Sequence, residues 1–183
     1  MMKKVLVLTG SPRKDGNSDL LADAFIRGAE EAGHQVTVFR AGRKHITGCL
    51  ACNKCYTEGN KACVVEDDFN ELAELYQSSD VIVYATPLYW YSFPAQLKAA
   101  MDKMHALVKG EREMAIKESI LLACCEDTDP HAFDGILQSY KLIAGYRKWK
   151  DLGHVLAFNV NEPGEILKQP DLLAKAKALG RNL

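Results

Sequence analysis

Residues 3–21, KKVLVLTGSPRKDGNSDLL, connect an apolar run to a helical pattern through a polar loop. Residues 3–9 are short, apolar and rich in β-branched side chains, and Gly10 ends the run, which predicts a buried strand. The helical pattern begins at Ser18 and ends at Gly33, a residue type that commonly closes helices. A strand that leads through one loop into a helix indicates a chain of the α/β class.

The alternation of strand and helix patterns continues to the end of the sequence. Parallel neighbours in a sheet need crossover connections, and helices in those connections cover both faces of the sheet. Five strands alternating with five helices therefore predict a three-layer α/β domain, although the pattern alone does not give the strand order. No repeat or break in composition divides the sequence, so we expect a single domain over residues 1–183. Beyond the opening unit, strands are predicted at residues 34–40, 81–87, 119–125 and 154–160, and helices at residues 67–80, 94–104, 131–147 and 171–180.

Composition and charge exclude several classes of function. The formal net charge of −1 and the even scatter of Lys and Glu provide no electrostatic footprint for nucleic acid. No apolar run approaches the roughly 20 residues of a membrane helix, and residues 1–9 are too short for a signal peptide. We therefore expect a cytoplasmic protein with neither nucleic acid nor membrane as a partner. The histidines are dispersed without metal-ligand spacing and no G-x-S-x-G motif occurs, so no catalytic side chain is predicted.

The loop after the first strand combines hydroxyl, amide and guanidinium side chains. It carries Ser11, Arg13, Asn17 and Ser18 and passes straight into a helix, at the sheet edge where ligands of such folds bind. A helix N-terminus presents unpaired N–H groups and a partial positive charge, so the loop is suited to a phosphate monoester. Neither GxGxxG nor GxxxxGK[ST] is present, and an ordinary turn with an Asn or Ser N-cap is the alternative interpretation.

The loop after the third strand is aromatic and uncharged. Its sequence PLYWYSF, residues 87–93, offers flat apolar surface at the same expected edge of the sheet. Such a surface suits a planar ring system. Packing of these rings under a neighbouring helix or in a subunit interface is the alternative.

Together, TGSPRKDGNS (residues 9–18) and ATPLYWYSFPAQLKAAMDK (residues 85–103) resemble the NADPH-dependent FMN reductase family of flavodoxin-like proteins. The family pattern is a GSPR-x-x-x-N-[ST] loop for the FMN phosphate and a P-x-Y-x-x-x-x-[PS] loop beside the flavin ring. The resemblance implies a flavodoxin-like, doubly wound parallel sheet of order 2-1-3-4-5 with bound FMN. One departure is CCEDTDPHAF (residues 124–133), which stands where the family often has a glycine-containing loop. The resemblance further implies that Ser11, Arg13, Asn17 and Ser18 hold the phosphate and that Pro87, Leu88, Tyr89, Trp90 and Tyr91 line the ring.

Four cysteines, Cys49, Cys52, Cys55 and Cys63, lie within residues 46–68. Their C-x2-C-x2-C-x7-C spacing begins like the cysteine run of bacterial ferredoxins, whereas zinc sites more often use two separated C-x2-C pairs. The segment is similar to the compact cysteine motif of the iron–sulfur flavoproteins, a branch of the same family, which implies a [4Fe–4S] cluster. Three interpretations stay open: a cluster, free or reversibly oxidised thiols, and zinc.

The combined patterns predict an FMN-dependent NAD(P)H oxidoreductase that passes reducing equivalents to a quinone, flavin or metal acceptor. Hydride transfer from a nicotinamide to a flavin needs no protein acid or base, which agrees with the lack of a catalytic constellation. The alternatives are an iron–sulfur flavoprotein that exchanges electrons with a redox protein, and a non-enzymatic FMN- and zinc-binding regulatory module. Because the aromatic loop exposes much apolar surface, we also expect a homodimer or tetramer.

Overall fold

The structure is a computed structural model that describes residues 1–58 and 60–183. Its centre is a five-stranded sheet in the order β2-β1-β3-β4-β5, and each neighbouring pair of strands is parallel. The predicted fold class and strand order are thereby confirmed. The strands are β1 (Lys4–Thr9), β2 (Gln35–Phe39), β3 (Val81–Pro87), β4 (Glu118–Cys124) and β5 (Lys150–Ala157).

Helices connect the strands and cover the sheet. Short 3-10 helices lie at Ala41–Arg43, after β2, and at Glu165–Lys168, after β5. The α-helices are α1 (Asn17–Glu31), α2 (Phe69–Ser78), α3 (Ala95–Asp102), α4 (Met104–Lys109), α5 (Asp134–Arg147) and α6 (Pro170–Arg181).

Side chains of the strands alternate between two hydrophobic layers. In β1, Val5 and Val7 pack with α1 and α6, whereas Leu6 and Leu8 pack with α2 to α5. Both faces of the central strands are buried, as is usual for a parallel sheet between helices. The molecule therefore has the three layers that the sequence predicts.

Helices α1 and α6 pack with their backbones in close contact. A Cβ atom added to Gly28 would overlap the carbonyl of Lys177, and one added to Gly180 would overlap the carbonyl of Phe25. Glycine is needed at both positions because the facing backbone occupies the space of a side chain. This contact joins the first and last helices on one face of the sheet.

The fifth strand starts earlier than predicted. β5 begins at Lys150 rather than at residue 154, because polar residues at its start interrupt the apolar pattern. The pairing with β4 shifts register between Ser119 and Leu121, beside Gly153 with φ of 116°. Such a bulge inserts one extra residue and breaks the simple alternation on which the prediction depends.

The helix predicted at residues 94–104 corresponds to α3, and a second short helix, α4, follows it where none was predicted. α3 ends at Asp102 and α4 begins at Met104, so Lys103 lies at the junction. The Lys103 side chain is buried and forms an ion pair with Asp67. Helical periodicity alone did not indicate this break, because the residues on both sides favour helix.

The strand order places the switch point of the sheet between β1 and β3. The connections from these two strands run to opposite faces, and this leaves a crevice beyond their carboxyl ends. The loops after β1 and β3 therefore face each other across that crevice. No helix within the described segments is long and apolar enough to span a bilayer.

Candidate functional site

A cavity of about 540 Å³ lies at the carboxyl edge of the sheet. It is formed by the loops after β1, β3, β4 and β5, which are far apart in the sequence. The structure places all the residues predicted to contact the cofactor in its lining: Ser11, Arg13, Asn17, Ser18, Pro87, Leu88, Tyr89, Trp90 and Tyr91.

The loop after β1 is built around a buried Ser11. The Ser11 hydroxyl accepts a hydrogen bond from the Arg13 backbone N–H at 3.1 Å, which fixes the turn. The N-cap of α1 is Gly16, which has no side chain to compete for the amides of the first turn. One end of the cavity is thus a helix N-terminus flanked by a hydroxyl and a guanidinium, an arrangement that favours an anion.

The Asn17 side chain has a different task from the one that the motif suggests. Its amide donates to the Glu162 carbonyl at 3.0 Å, and its side-chain oxygen accepts from the Ile166 N–H at 3.2 Å. Arg13 also donates to this region, through a 3.1 Å hydrogen bond to the Asn161 carbonyl. The Asn17 side chain therefore fastens the segment after β5 to the loop after β1, and its backbone N–H is the group that it can offer to an anion.

An ion pair supports the loop from behind. Arg43, in the 3-10 helix after β2, forms an ion pair with Asp19 and donates to the Arg13 carbonyl at 2.8 Å. Burial raises the pKa of Asp19, although the Arg43 charge acts in the opposite direction. Arg43 thereby connects α1 to the loop.

The aromatic loop after β3 ends in a tight turn. The N–H groups of Tyr89 and Ser92 each donate to the carbonyl of the other at 3.0 Å. Trp90 and Tyr91 occupy the tip with φ of 47° and 61°, a left-handed conformation that costs free energy in residues other than glycine. The Trp90 side chain is 95% exposed, so it stands at the mouth of the cavity instead of packing inside.

The end of β4 contributes two buried thiols to the cavity. Burial raises the pKa of the Cys124 thiol to about 12, against the opposing effect of a hydrogen bond with Ser18. Burial also raises the pKa of Cys125. Both thiols are therefore protonated and serve as small apolar walls, which is the fate expected for cysteines at the end of a strand. The acidic residues Glu126 and Asp127 line the cavity as well.

The sequence placed the segment after β5 at the ligand-binding edge of the sheet but assigned none of its residues to the site. Val160, Asn161 and Pro163 line the cavity, but their residue types carry no binding signature. Only the topology of the sheet indicates their position. The segment follows a parallel strand, so it lies at the same carboxyl edge of the sheet as the loops after β1, β3 and β4. The carboxylate of Glu165 orders the segment by accepting from the Asn161 and Glu162 N–H groups.

None of the four predicted cysteine ligands lines this cavity, but they share a small one of their own. Cys49, Cys52, Cys55 and Cys63 all line a space of about 30 Å³. Burial raises the pKa of Cys55, and the other three thiols act in the same direction. None of the described residues lines both cavities.

The cysteine segment is fixed to α2 and to the α3–α4 junction. Asn70 holds Cys63 by accepting from its N–H at 2.9 Å and donating to its carbonyl at 3.0 Å. Burial alone would raise the pKa of Asp67, but hydrogen bonds from Lys103 and from the Thr47 amide hold it below its ordinary value. These contacts fix both ends of the segment, and Arg112 donates to the Cys55 carbonyl at 3.3 Å between them.

Thiolates are ligands that soft metal ions prefer, and the four cysteines line one small cavity. Within the described part of the chain, no three His, Cys, Asp or Glu side chains converge as a ready metal site. Ala51 and Asn53, between the first three cysteines, have φ of 51° and 62°, so this part of the segment already turns tightly.

A doubly wound parallel sheet of order 2-1-3-4-5, with a polar loop and an aromatic loop facing each other at its switch point, defines a protein of the flavodoxin-like class. The family model described as NADPH-dependent FMN reductase matches residues 3–129. The chain belongs to this family.

Individual relatives agree with the assignment. An iron-sulfur flavoprotein of Archaeoglobus fulgidus is 38% identical over 103 residues, which cover 56% of this chain and 46% of that protein. A putative NAD(P)H-dependent FMN-containing oxidoreductase of Bacillus subtilis is 24% identical over 186 residues and 96% of each chain. The chain spans about half the length of the curated iron–sulfur flavoproteins that it matches first.

A solved structure shares the whole fold. The NAD(P)H:quinone oxidoreductase from Methanothermobacter marburgensis superposes with a TM-score of 0.76, at 21% identity, over 100% of this chain and 97% of that chain. This likeness concerns the backbone arrangement. It agrees with the strand order described above.

Proposed function

We propose that this protein is an FMN-dependent NAD(P)H oxidoreductase that passes reducing equivalents to a quinone, flavin or metal acceptor. The observation that carries the proposal is one cavity that joins the polar loop and helix N-terminus after β1 to the aromatic loop after β3. Its volume of about 540 Å³ falls in the usual range for cofactor sites. Membership of the NADPH-dependent FMN reductase family supports the same activity.

The residues of the cavity fit FMN by their chemistry. Ser11, Arg13 and the first-turn amides of α1 would hold the phosphate, while Pro87 and Leu88 would provide a flat apolar wall for the ring. When bound, FMN supplies the hydride chemistry, and the protein supplies position and electrostatics. The Leu88 N–H donates to the Cys124 carbonyl at 2.8 Å, and this hydrogen bond keeps the aromatic loop after β3 against β4.

The mouth of the cavity is the place for the nicotinamide and the acceptor. Trp90 and Tyr91 are exposed there and offer aromatic surface to a planar substrate. The buried Cys124 and Cys125 thiols are kept protonated by burial, so they are not nucleophiles. Such a site has only to position the nicotinamide and then the acceptor beside the flavin. It therefore needs no protein acid or base.

The decisive experiment is a flavin titration combined with a turnover assay. The purified protein should be yellow, or should bind added FMN with quenching of flavin fluorescence, and should oxidise NADH or NADPH when a quinone is supplied under anaerobic conditions. Colourless protein that does not bind FMN would refute the cofactor site. Protein that binds FMN but oxidises neither nucleotide would favour a non-enzymatic FMN-binding module.

A second candidate function is an iron–sulfur flavoprotein that exchanges electrons with a redox protein. It is favoured by four thiols around one cavity and by several relatives named iron-sulfur flavoprotein. Anaerobic purification followed by iron, sulfide and zinc analysis separates the interpretations of the cysteines. Iron and sulfide in equal amounts support a cluster, zinc alone supports a structural site, and metal-free protein supports redox-active thiols.

Assembly and location form part of the proposal. We propose a homodimer or tetramer, because Trp90, Leu142 and Tyr146 leave large apolar side chains exposed on the single chain. Light scattering of the purified protein would measure the subunit number. The cysteines are free thiols, which suits a reducing compartment such as the cytoplasm.

A further inference from the structure

The 3-10 helix after β2 packs directly on the loop after β1. A Cβ atom added to Gly42 would overlap the Ser11 carbonyl and would lie 2.6 Å from the Gly10 carbonyl oxygen. Glycine is therefore needed at position 42, because the backbone of the loop occupies the space of a side chain. This close contact places the next residue, Arg43, behind the loop.

From that side, Arg43 holds the backbone of Arg13. Its Nη2 atom donates to the Arg13 carbonyl at 2.8 Å, and the same carbonyl accepts from the Ser11 hydroxyl at 3.3 Å. The Arg13 N–H in turn donates to the Ser11 hydroxyl at 3.1 Å. Both backbone polar groups of Arg13 are thus held in place, and Arg13 is a residue that lines the larger cavity.

The same Nη2 atom of Arg43 bonds to an acidic residue in the first turn of α1. This residue is Asp19, which is 9% exposed and whose carboxylate forms an ion pair with Arg43. Like charges repel, so a carboxylate in the first turn opposes an anion at that end of the helix, and the Arg43 charge offsets it. Arg43 lines the cavity behind the loop and not the larger one, so its action on a ligand of the larger cavity is indirect.

We propose that Arg43 is a positioning residue for the FMN phosphate and holds the Arg13 backbone so that the Arg13 guanidinium reaches that phosphate. The inference rests on the proposed FMN function and extends it to a residue outside the cofactor cavity. Because Arg43 does not touch the cofactor, its effect depends on Arg13. The effect is also confined to flavins that carry a phosphate group.

The test compares FMN with riboflavin, which has the same ring system but lacks the phosphate. The double variant Arg43→Met, Asp19→Asn removes the bond to the Arg13 carbonyl and leaves no unpaired carboxylate behind. We expect its FMN dissociation constant to rise by about tenfold, as for the loss of one hydrogen bond from a charged group. Its riboflavin dissociation constant should match that of the wild type. Quenching of flavin fluorescence by the FMN-free protein measures both constants.

A double-mutant cycle tests whether Arg43 acts through Arg13. In the Arg13→Ala background, the additional change Arg43→Met, Asp19→Asn should raise the FMN dissociation constant by less than about threefold. Residues that act as one unit give losses that do not add, whereas the effects of independent residues on the binding free energy add. The cycle uses FMN alone, so it is decisive even where riboflavin binds too weakly to be measured.

Three variants separate the contact of Arg43 from its charge. Arg40→Met removes an exposed cation that lines the same cavity, and it should leave FMN binding unchanged. Asp19→Asn alone keeps the bond from Arg43 to the Arg13 carbonyl and should not weaken FMN binding. Both bonds of Arg43 come from one nitrogen, so the ammonium of Arg43→Lys can replace them and should keep FMN binding within about threefold. If the double variant does not fold, as judged by circular dichroism, Arg43→Gln takes its place.

The outcomes distinguish this inference from the proposed function. A loss of FMN affinity that spares riboflavin and disappears in the Arg13→Ala background supports the role of Arg43. Equal losses for FMN and riboflavin, an unchanged FMN affinity, or a full loss on top of Arg13→Ala each overturn that role and leave the flavin function intact. Wild-type protein that binds neither flavin refutes the cofactor site, and the role of Arg43 with it.

Discussion

Among single residues, Arg13 has the most specific task in the proposed phosphate site. Its guanidinium is exposed at the cavity and donates to the Asn161 carbonyl at 3.1 Å. Replacement of Arg13 by Ala should weaken FMN binding by about 1.5–3 kcal/mol, the range for a charge-assisted hydrogen bond. A fluorescence titration of the FMN-free protein with FMN measures the loss.

The neighbouring lysine provides the control for Arg13. Lys14 follows it in the loop but lines a different cavity, behind the loop, together with Asp19 and Arg43. Lys14→Ala should change FMN binding by less than about 0.5 kcal/mol, as exposed charges usually do. Equal losses in the two variants would indicate a general electrostatic effect of the loop instead of a direct contact by Arg13.

The residue scale also shows what a motif can and cannot predict. The motif identified Asn17 as a member of the site, and Asn17 does line the cavity. The motif did not indicate that both ends of its amide are used by Glu162 and Ile166, because those partners lie about 150 residues further along the chain. Side-chain direction depends on tertiary contacts, which a local pattern does not contain.

At the scale of elements, the tight turn of the aromatic loop is strained. Asn and Gly are the residues that such turns prefer, since both tolerate positive φ, whereas the tip holds Trp90 and Tyr91. The double substitution Trp90→Asn, Tyr91→Gly should raise the free energy of unfolding by about 1 kcal/mol, because it relieves strain and removes exposed side chains that pack little. Urea denaturation followed by circular dichroism measures the change. Unchanged or lower stability would mean that the two aromatic rings stabilise the folded chain more than the turn strains it.

The contact between α1 and α6 is the second feature that belongs to this scale. Gly180→Ala would place a methyl group against the Phe25 carbonyl. We therefore expect overpacking to lower the free energy of unfolding by about 1–3 kcal/mol. Gly145→Ala is the matched control, because a Cβ atom at this position in α5 meets nothing within 4 Å. In that control the free energy of unfolding should rise by about 0.5–1 kcal/mol, because Ala has a higher helix propensity than Gly. Thermal unfolding measures the stability of both variants. A loss of stability in Gly180→Ala together with a gain in Gly145→Ala would support the close contact, and equal gains in both variants would contradict it.

Elements with strong local patterns were predicted well, and those shaped by distant contacts were not. β1 and β3 are continuous apolar runs between turn residues, so their positions followed directly from the sequence. β5 contains a bulge at Gly153, and the helix after β3 breaks at Lys103, whose partner Asp67 lies in another segment. Neither feature leaves a periodic signal, because each depends on an element elsewhere in the fold.

For the whole molecule, the two cavities of interest have separate linings. The larger cavity lies beyond the strand ends at the switch point, whereas the cysteine cavity lies between the segment before α2 and the start of α4. The first of these centres was predictable as a unit, because parallel strands bring their following loops to one edge. The surroundings of the second were not, since Lys103 and His105 reach it from a helical region with no cysteine motif.

The separation of the two cavities leads to a prediction about the cysteine segment. Cys52→Ser should leave the FMN content and the FMN dissociation constant unchanged, because Cys52 lines only the smaller of the two cavities. Cys125→Ser makes the same chemical change inside the larger cavity, where a hydroxyl replaces an apolar thiol, and should alter FMN affinity or the flavin absorption spectrum. Flavin analysis and an FMN titration of both variants provide the comparison. Loss of FMN from Cys52→Ser would show that the cysteine segment supports the flavin site from a distance, and the two centres would then have to be treated as one folding unit.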